Sequence, residues 1–115
     1  MRRSREPFLW ALFSGGGMLS ALVLPALAGV LWIAMPLAWA RHPSYAELAA
    51  LAAHPLARLF LFALISLSLF HWAHRFRFTL YDGLQLYHLN QLIATLTYGV
   101  ATLLTLLAAC LMVVW

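Results

Sequence analysis

A histidine and an arginine stand side by side, His74-Arg75, where the uncharged stretch from Leu59 to His74 ends. Trp10 and, one helical turn on, Phe13 open another uncharged stretch that runs from Pro7 to Ala40. Imidazole donates or accepts a proton near neutral pH, whereas guanidinium and indole N–H only donate hydrogen bonds. With a phenyl ring as a flat apolar wall, this set suits a quinone head group. The oxygens of such a ring want donors when oxidised and proton acceptors when reduced. Each residue also has a plainer use. Trp10, like Trp39 and Trp115, fits a membrane-interface belt, and Arg75 and Arg77 fit flanking anchors. A histidine at a helix end is more often packed or hydrated than a ligand. His71 and His74 lie three apart on one helix side. They could give a haem only one of its two axial ligands, and no haem is expected.

The rest of the chain offers little else that reacts. It has no nucleotide loop, no Cys/His cluster and no paired carboxylates, so neither a metal site nor a catalytic residue is expected. The acids Glu6, Glu47 and Asp82 fall outside the apolar spans. Cys110 has no partner in the chain and reads as a small apolar group. His42, His54 and His88 fall at connections and read as solvated.

The elements that must position these groups follow from composition. Of 115 residues, 65% are apolar and 9% are charged. Soluble domains carry roughly 45–50% apolar and about 25% charged residues, so a soluble globular enzyme is excluded and the solvent is lipid. The apolar excess also excludes disorder. The net charge of +4 comes from arginines without a single lysine. They sit at the chain start (Arg2, Arg3, Arg5), in a connection (Arg41, Arg58) and at a helix end (Arg75, Arg77). That is membrane-flanking charge, not a basic stripe for nucleic acid.

Charges divide the chain into three apolar blocks, the third running from Gly83 to Trp115. A helix needs about 20 apolar residues to cross a hydrocarbon core of about 30 Å, and the unbroken runs do not alternate as barrel strands would. The expectation is an all-α integral membrane protein. Residues 1–115 form one anchor domain with transmembrane helices at about 9–39, 55–78 and 89–114. Ser44 and Glu47 are spaced as a capping box, which predicts a short interfacial helix at about 44–54. Pro55 suits the first turn of the second span, Asp82-Gly83 signals a turn after it, and Pro25 and Pro36 predict kinks in the first. Gly15-Gly16-Gly17 is a smooth patch where another backbone can approach closely.

Five arginines on the odd-numbered flanks against two in the first loop place the N-terminus in the cytoplasm and the C-terminus in the periplasm. Ala38-Trp39-Ala40 resembles a signal-peptide cleavage site, but the run before it is too long for a signal-peptide core. Arg2-Arg3 is a faint twin-arginine decoy. With this orientation Trp10 opens the first span at the inner face. His74 and Arg75 close the second there, about 28 Å along from Pro55. Trp10, Phe13, His74 and Arg75 can therefore share one depth if the two helices pack side by side.

The run from Glu6 to Ala21, EPFLWALFSGGGMLSA, followed by Ser44-Tyr45, Arg58-Leu59-Phe60-Leu61-Phe62 and His74-Arg75 ahead of Asp82, resembles the D-subunit of the bacterial quinol:fumarate reductase, the smaller hydrophobic anchor of the four-subunit, haem-free type. The resemblance covers nearly the whole chain. It implies a non-catalytic member of an inner-membrane oxidoreductase complex, fumarate reductase. In that family the flavoprotein, or A-subunit, reduces fumarate and the iron–sulfur protein, or B-subunit, carries the electrons, so flavin and clusters belong to partners. The C-subunit, also of three spans, builds the menaquinol site with the D-subunit. The family's D-subunit site residues match Trp10, Phe13, His74 and Arg75. The family's further histidines after His-Arg are here replaced by Phe76-Arg77-Phe78-Thr79-Leu80-Tyr81, so their roles do not carry over.

Other readings remain. One is the anchor of a haem-b succinate dehydrogenase. Another is a purely structural anchor, with Gly15, Gly16, Gly17 and Ser20 packed on the C-subunit and no quinone contact. A small multidrug-type transporter would want an intramembrane acid, and none falls at lipid depth.

Overall fold

The computed structural model describes residues 6–114. It is helical throughout most of those residues: α1 (Glu6–Gly29), α2 (Tyr45–Ala53), α3 (Pro55–Leu84) and α4 (Asn90–Val114). Three segments are long and apolar enough to cross a membrane: Trp10–Ala34, Pro55–Leu84 and Tyr87–Val114, with mean hydropathies of 2.0, 1.7 and 2.1. Arg2, Arg3 and Arg5, which weigh most in the orientation expected from charge, and Trp115, expected from the sequence to fit an interface belt, lie outside the described residues.

α3 is the central rod, and α1 and α4 both pack on it. Both pairings run antiparallel. Between α3 and α4, Tyr81 donates to the Asn90 carbonyl, His74 meets Tyr98, and Arg58 donates to the Met112 carbonyl. Between α1 and α3, Phe13 meets His71 and Ser20 meets Ser68. The start of α1, the end of α3 and the start of α4 therefore share one end of the bundle. Such a bundle barely shields its own apolar surface. It exposes 9076 Å², against roughly 6,300 Å² for a compact soluble chain of this mass. Its buried positions on α3 and α4 are few, and half of them are small: Leu64, Ala73 and Tyr81 on α3, and Ile93, Thr97 and Ala101 on α4. Lipid is as apolar as leucine, so close packing and interhelical hydrogen bonds hold such helices together.

The glycine patch works in that way. A Cβ at Gly16 would come within 2.5 Å of the Leu67 carbonyl oxygen, and one at Gly17 within 2.5 Å of His71 Cε1. Ser20 Oγ donates to the Gly16 carbonyl at 2.7 Å and lies 2.6 Å from Ser68 Oγ. Gly16, Gly17 and Ser20 thus face α3 of the same chain. Among the four small residues that a purely structural anchor would turn toward a partner protein, only Gly15 has open space beyond its Cα.

Helix boundaries depart from the sequence reading in two places. The first apolar block reads as one helix to residue 39, but regular α geometry stops at Gly29. A π turn follows at Val30–Ala34, in which Met35 N–H bonds the Val30 carbonyl at 2.9 Å. Pro36 explains the change: it has no N–H and its ring clashes with the carbonyl four residues back, and a widened turn just before it relieves both. The chain then reverses through Ala38, in the left-handed region at φ 57°. The second departure is at Asp82-Gly83, which the helix passes straight through. α3 ends instead at Leu84, with Gln85 left-handed at φ 52°. Tyr81 holds this last turn by bonding Asn90, and Asp82 accepts a hydrogen bond from Tyr87.

The remaining local signals have clear counterparts. Ser44 caps α2 in a complete capping box with Glu47, and Arg41 adds two hydrogen bonds to the Glu47 carboxylate at 2.6 and 2.8 Å. Pro55 occupies the first turn of α3, and His54 Nδ1 accepts from Leu56 N–H at 3.2 Å as its cap. Arg58 donates to the Ala52 and Met112 carbonyls, so one cation serves the C-terminal ends of both α2 and α4.

Candidate functional site

At the shared end of the bundle lies an open cleft of about 1000 Å³. Trp10, Phe13, His74 and Arg75 all line it, with Leu12, Leu67, Phe70, Arg77, Phe78 and Tyr98. The four residues expected from the sequence are therefore brought together.

Phe13 is the pivot on the α1 side. The close approach at Gly16 carries its ring onto α3, where the centroid lies 4.5 Å from both His71 and His74. Trp10, one turn away, meets the Phe13 ring edge-on at 5.9 Å and that of His74 at 6.4 Å. It keeps 62% of its surface exposed, so the indole stands at an open side of the cleft. Arg75 is exposed as well.

The two histidines play different parts. His71 Nδ1 lies 3.0 Å from the Phe13 carbonyl oxygen. A carbonyl only accepts, so Nδ1 carries the proton and the ring is fixed against α1, stacked on Phe13 at 15° between planes. His71 does not line the cleft. His74 does, and its Nδ1 is 2.9 Å from Tyr98 Oη on α4. That bond turns the ring so that Nδ1 faces the third span and leaves Nε2 as its other polar atom. Phe78 flanks the same ring at 4.9 Å.

Arg77, which the sequence presents as a membrane anchor, lies inside this aromatic cluster. Its guanidinium carbon sits 4.8 Å from the Phe78 ring centroid, 5.5 Å from that of Tyr98 and 5.6 Å from that of Tyr81. Each ring presents a negative face to the cation. Among the described residues its buried Nε finds no hydrogen-bond partner. No carboxylate lines the cleft among the described residues.

Sequence reasoning missed Tyr98, Arg77, Phe70 and Phe78. Two signals could have found Phe78 and Tyr98. Positions 71, 74 and 78 share one helix face by the three-and-four spacing, which adds Phe78 to the histidines. Tyr98 is a polar group within an apolar span, the feature that most often marks function at membrane depth.

Walls of apolar and aromatic side chains with a few convergent polar groups are the usual make-up of a small-molecule pocket. The arrangement fits a flat ring bearing oxygens. Indole N–H and two guanidinium groups are donors, and one imidazole can change roles.

The comparisons with known proteins agree with the resemblance in the sequence. The family model for the D-subunit of fumarate reductase matches residues 1–114. The chain is 49% identical over 102 residues to the fumarate reductase D-subunit of Mycobacterium tuberculosis, covering 89% of this chain and 82% of that one. It is 32% identical over 109 residues to the protein of the same name from Vibrio parahaemolyticus, covering 93% and 86%. For the Shewanella protein the identity is 33% over 113 residues, covering 93% and 88%.

Proposed function

The chain belongs to the family of fumarate reductase D-subunits, and from that premise we propose that it is the smaller membrane anchor of a quinol:fumarate reductase and forms one wall of its menaquinol-oxidising site. It holds the flavoprotein and the iron–sulfur protein at the bacterial inner membrane together with the C-subunit. Flavin and iron–sulfur clusters reside in those partners, and this chain carries no catalysis alone. The observation behind the reading is the convergence of Trp10, Phe13, His74 and Arg75 on one cleft at one end of the bundle.

The depth of that cleft is right for the task. α3 is 30 residues long, roughly 45 Å at about 1.5 Å per residue, against a hydrocarbon core of about 30 Å. With Pro55 at one boundary, His74 reaches the other and the last turns stand in the interfacial region. A ring there can draw its isoprenoid tail from lipid while its oxygens meet polar groups.

When bound, the quinol supplies two electrons and two protons. This chain's residues hold the ring and manage a proton. Phe13 forms an apolar wall. The Trp10 indole N–H and the Arg75 guanidinium donate toward one oxygen. His74 Nε2 takes or relays a proton, and the open side of the cleft beside Trp10 is left for a partner subunit to close. The main proton acceptor, a carboxylate in this family, belongs to the C-subunit.

Two variants test the reading in the assembled complex: His74→Ala and Trp10→Leu. Quinol-linked fumarate reduction should fall in both, while reduction driven by an artificial soluble donor persists. Unchanged quinol turnover in both variants would show that the site lies elsewhere. A photoreactive quinone separates this reading from an anchor without quinone contacts, because it should label α1 near Trp10 or α3 near His74.

A further inference from the structure

The Tyr98–His74 hydrogen bond has no counterpart among the residues singled out in the sequence, and it joins the third span to a cleft otherwise built by the first two. Tyr98 Oη lies 2.9 Å from His74 Nδ1. The Tyr98 ring is held independently of that bond: Phe70 stacks beside it at 6.5 Å, and the Arg77 guanidinium sits over it at 5.5 Å. The hydroxyl is thus fixed in place while its hydrogen remains free to rotate.

A phenol is a particular choice of partner for imidazole. A carboxylate only accepts, so it locks the proton on Nδ1. A hydroxyl both donates and accepts. When Nδ1 carries the proton, Tyr98 Oη accepts it, and Nε2 offers a lone pair to the cleft. When Nε2 carries the proton, Tyr98 O–H turns and donates to Nδ1, and Nε2 becomes a donor. Those are the two roles that the two redox forms of a quinone ring require from one nitrogen, since quinol oxygens give up protons and quinone oxygens accept hydrogen bonds.

We propose that Tyr98 is a positioning residue for quinol oxidation: its rotatable hydroxyl orients His74 and follows the imidazole between its two neutral forms, so that Nε2 serves both forms of the ring without the side chain moving. Tyr98 also lines the cleft, and the role proposed here is exerted through its bond to His74. The other groups facing His74 do not do this. Trp10 and Phe13 from α1 do not titrate. Arg75 and Arg77 on α3 are permanent cations, and the His71 Nδ1 proton is held by the Phe13 carbonyl. The inference rests on His74 acting at the quinone site as proposed above.

The experiment is a double-mutant cycle in the assembled four-subunit complex, with Tyr98→Phe, His74→Ala and both together. Phenylalanine keeps the ring against Phe70 and Arg77 and removes only the hydroxyl. Assembly is verified by membrane-bound fumarate reduction with a soluble donor. Tyr98→Phe should lower quinol-linked kcat about tenfold, on the scale of one orienting hydrogen bond to an acid–base group, and leave the quinol KM within about twofold. In the His74→Ala background the same change should do nothing further, because its target is gone. An equal loss in both backgrounds makes Tyr98 a packing residue and overturns the proposal. No loss in the parent complex overturns it as well. If His74→Ala itself leaves quinol turnover intact, the site reading fails first, and this inference falls with it.

Discussion

Gly16→Ala is the sharpest perturbation of the geometry that builds the cleft. The new methyl would meet the Leu67 carbonyl oxygen at 2.5 Å, whereas ordinary contact begins at 3.4 Å. The obstacle is backbone, which cannot swing aside, so α1 must retreat by the difference of 0.9 Å. Such a retreat stretches the Ser20–Ser68 contact from 2.6 Å to the limit of a hydrogen bond. It also draws Phe13 away from His71 and His74, both now at 4.5 Å. Overpacking by one methyl costs about 1–3 kcal/mol, offset by at most about 1 kcal/mol from alanine's better helix propensity. A displacement of about 1 Å at a reacting site lowers turnover by up to about a hundredfold. Quinol-linked turnover of the purified complex should therefore fall between about tenfold and a hundredfold, its thermal inactivation should quicken, and soluble-donor activity should survive. Gly15→Ala is the control. It carries the same propensity gain, and its Cβ meets nothing within 4 Å in this chain. If the two alanine variants match within about twofold in both turnover and inactivation, α1 and α3 do not meet at Gly16, and the cleft as described does not exist.

Acid sensitivity, membrane orientation and haem content give three more checks. Glu47 is held at about 2, chiefly by its hydrogen bonds with Arg41 and then by those with Ser44. A lowered carboxylate stabilises the start of α2 above its ordinary value near 4.5 and loses that contribution as pH falls toward 2. Protection factors of the Tyr45–Leu48 amides, exchange rates divided into the intrinsic rate at each pH, should fall across that acid window in the parent and hold steady in Glu47→Gln. A cysteine placed at Ser44, with Cys110 replaced by alanine, should react with a membrane-impermeant thiol reagent from the periplasmic side of intact cells. Reaction only after the membrane is opened would reverse the orientation drawn from the arginines. Reduced spectra of the isolated complex should lack a cytochrome b band, because His71 and His74 lie three apart on one helix side and could supply only one of a haem's two axial ligands; such a band would favour the succinate dehydrogenase type of anchor.

Most of the architecture was readable because hydropathy reports the solvent around a segment. Runs such as Leu59–His74 and Gly83–Trp115 have no other environment that suits them. Hydropathy does not report backbone geometry, and the boundaries went astray for that reason. Nothing in the polarity of Val30–Ala40 distinguishes a helix from the π turn and reversal that Pro36 enforces. At the other end, Asp82-Gly83 has the chemistry of a turn, yet α3 continues because Tyr81 and Tyr87 tie its last turns to the segment that follows. Local propensity loses to such contacts whenever a long side chain can reach across. Gln85, not Gly83, takes the left-handed position.

The candidate site divides in the same way. Trp10, Phe13, His74 and Arg75 could be found because equal depth on adjacent antiparallel rods is arithmetic on residue number. Which face of each rod meets the other is not. It depends on where backbones approach, and Gly16 settles that for α1 and α3. The same rotation explains why His71, three residues from His74, turns its proton to the Phe13 carbonyl and leaves the cleft. It explains why Arg77 enters a cage of three rings. The resulting cleft is cationic, and no described residue in it offers a carboxylate. Two protons must leave a quinol when it is oxidised, and one imidazole can take only one at a time. If the proposed quinol chemistry takes place in this cleft, a second proton acceptor has to come from outside the described residues, and Trp10, 62% exposed, stands on the open side where a partner protein would bring it.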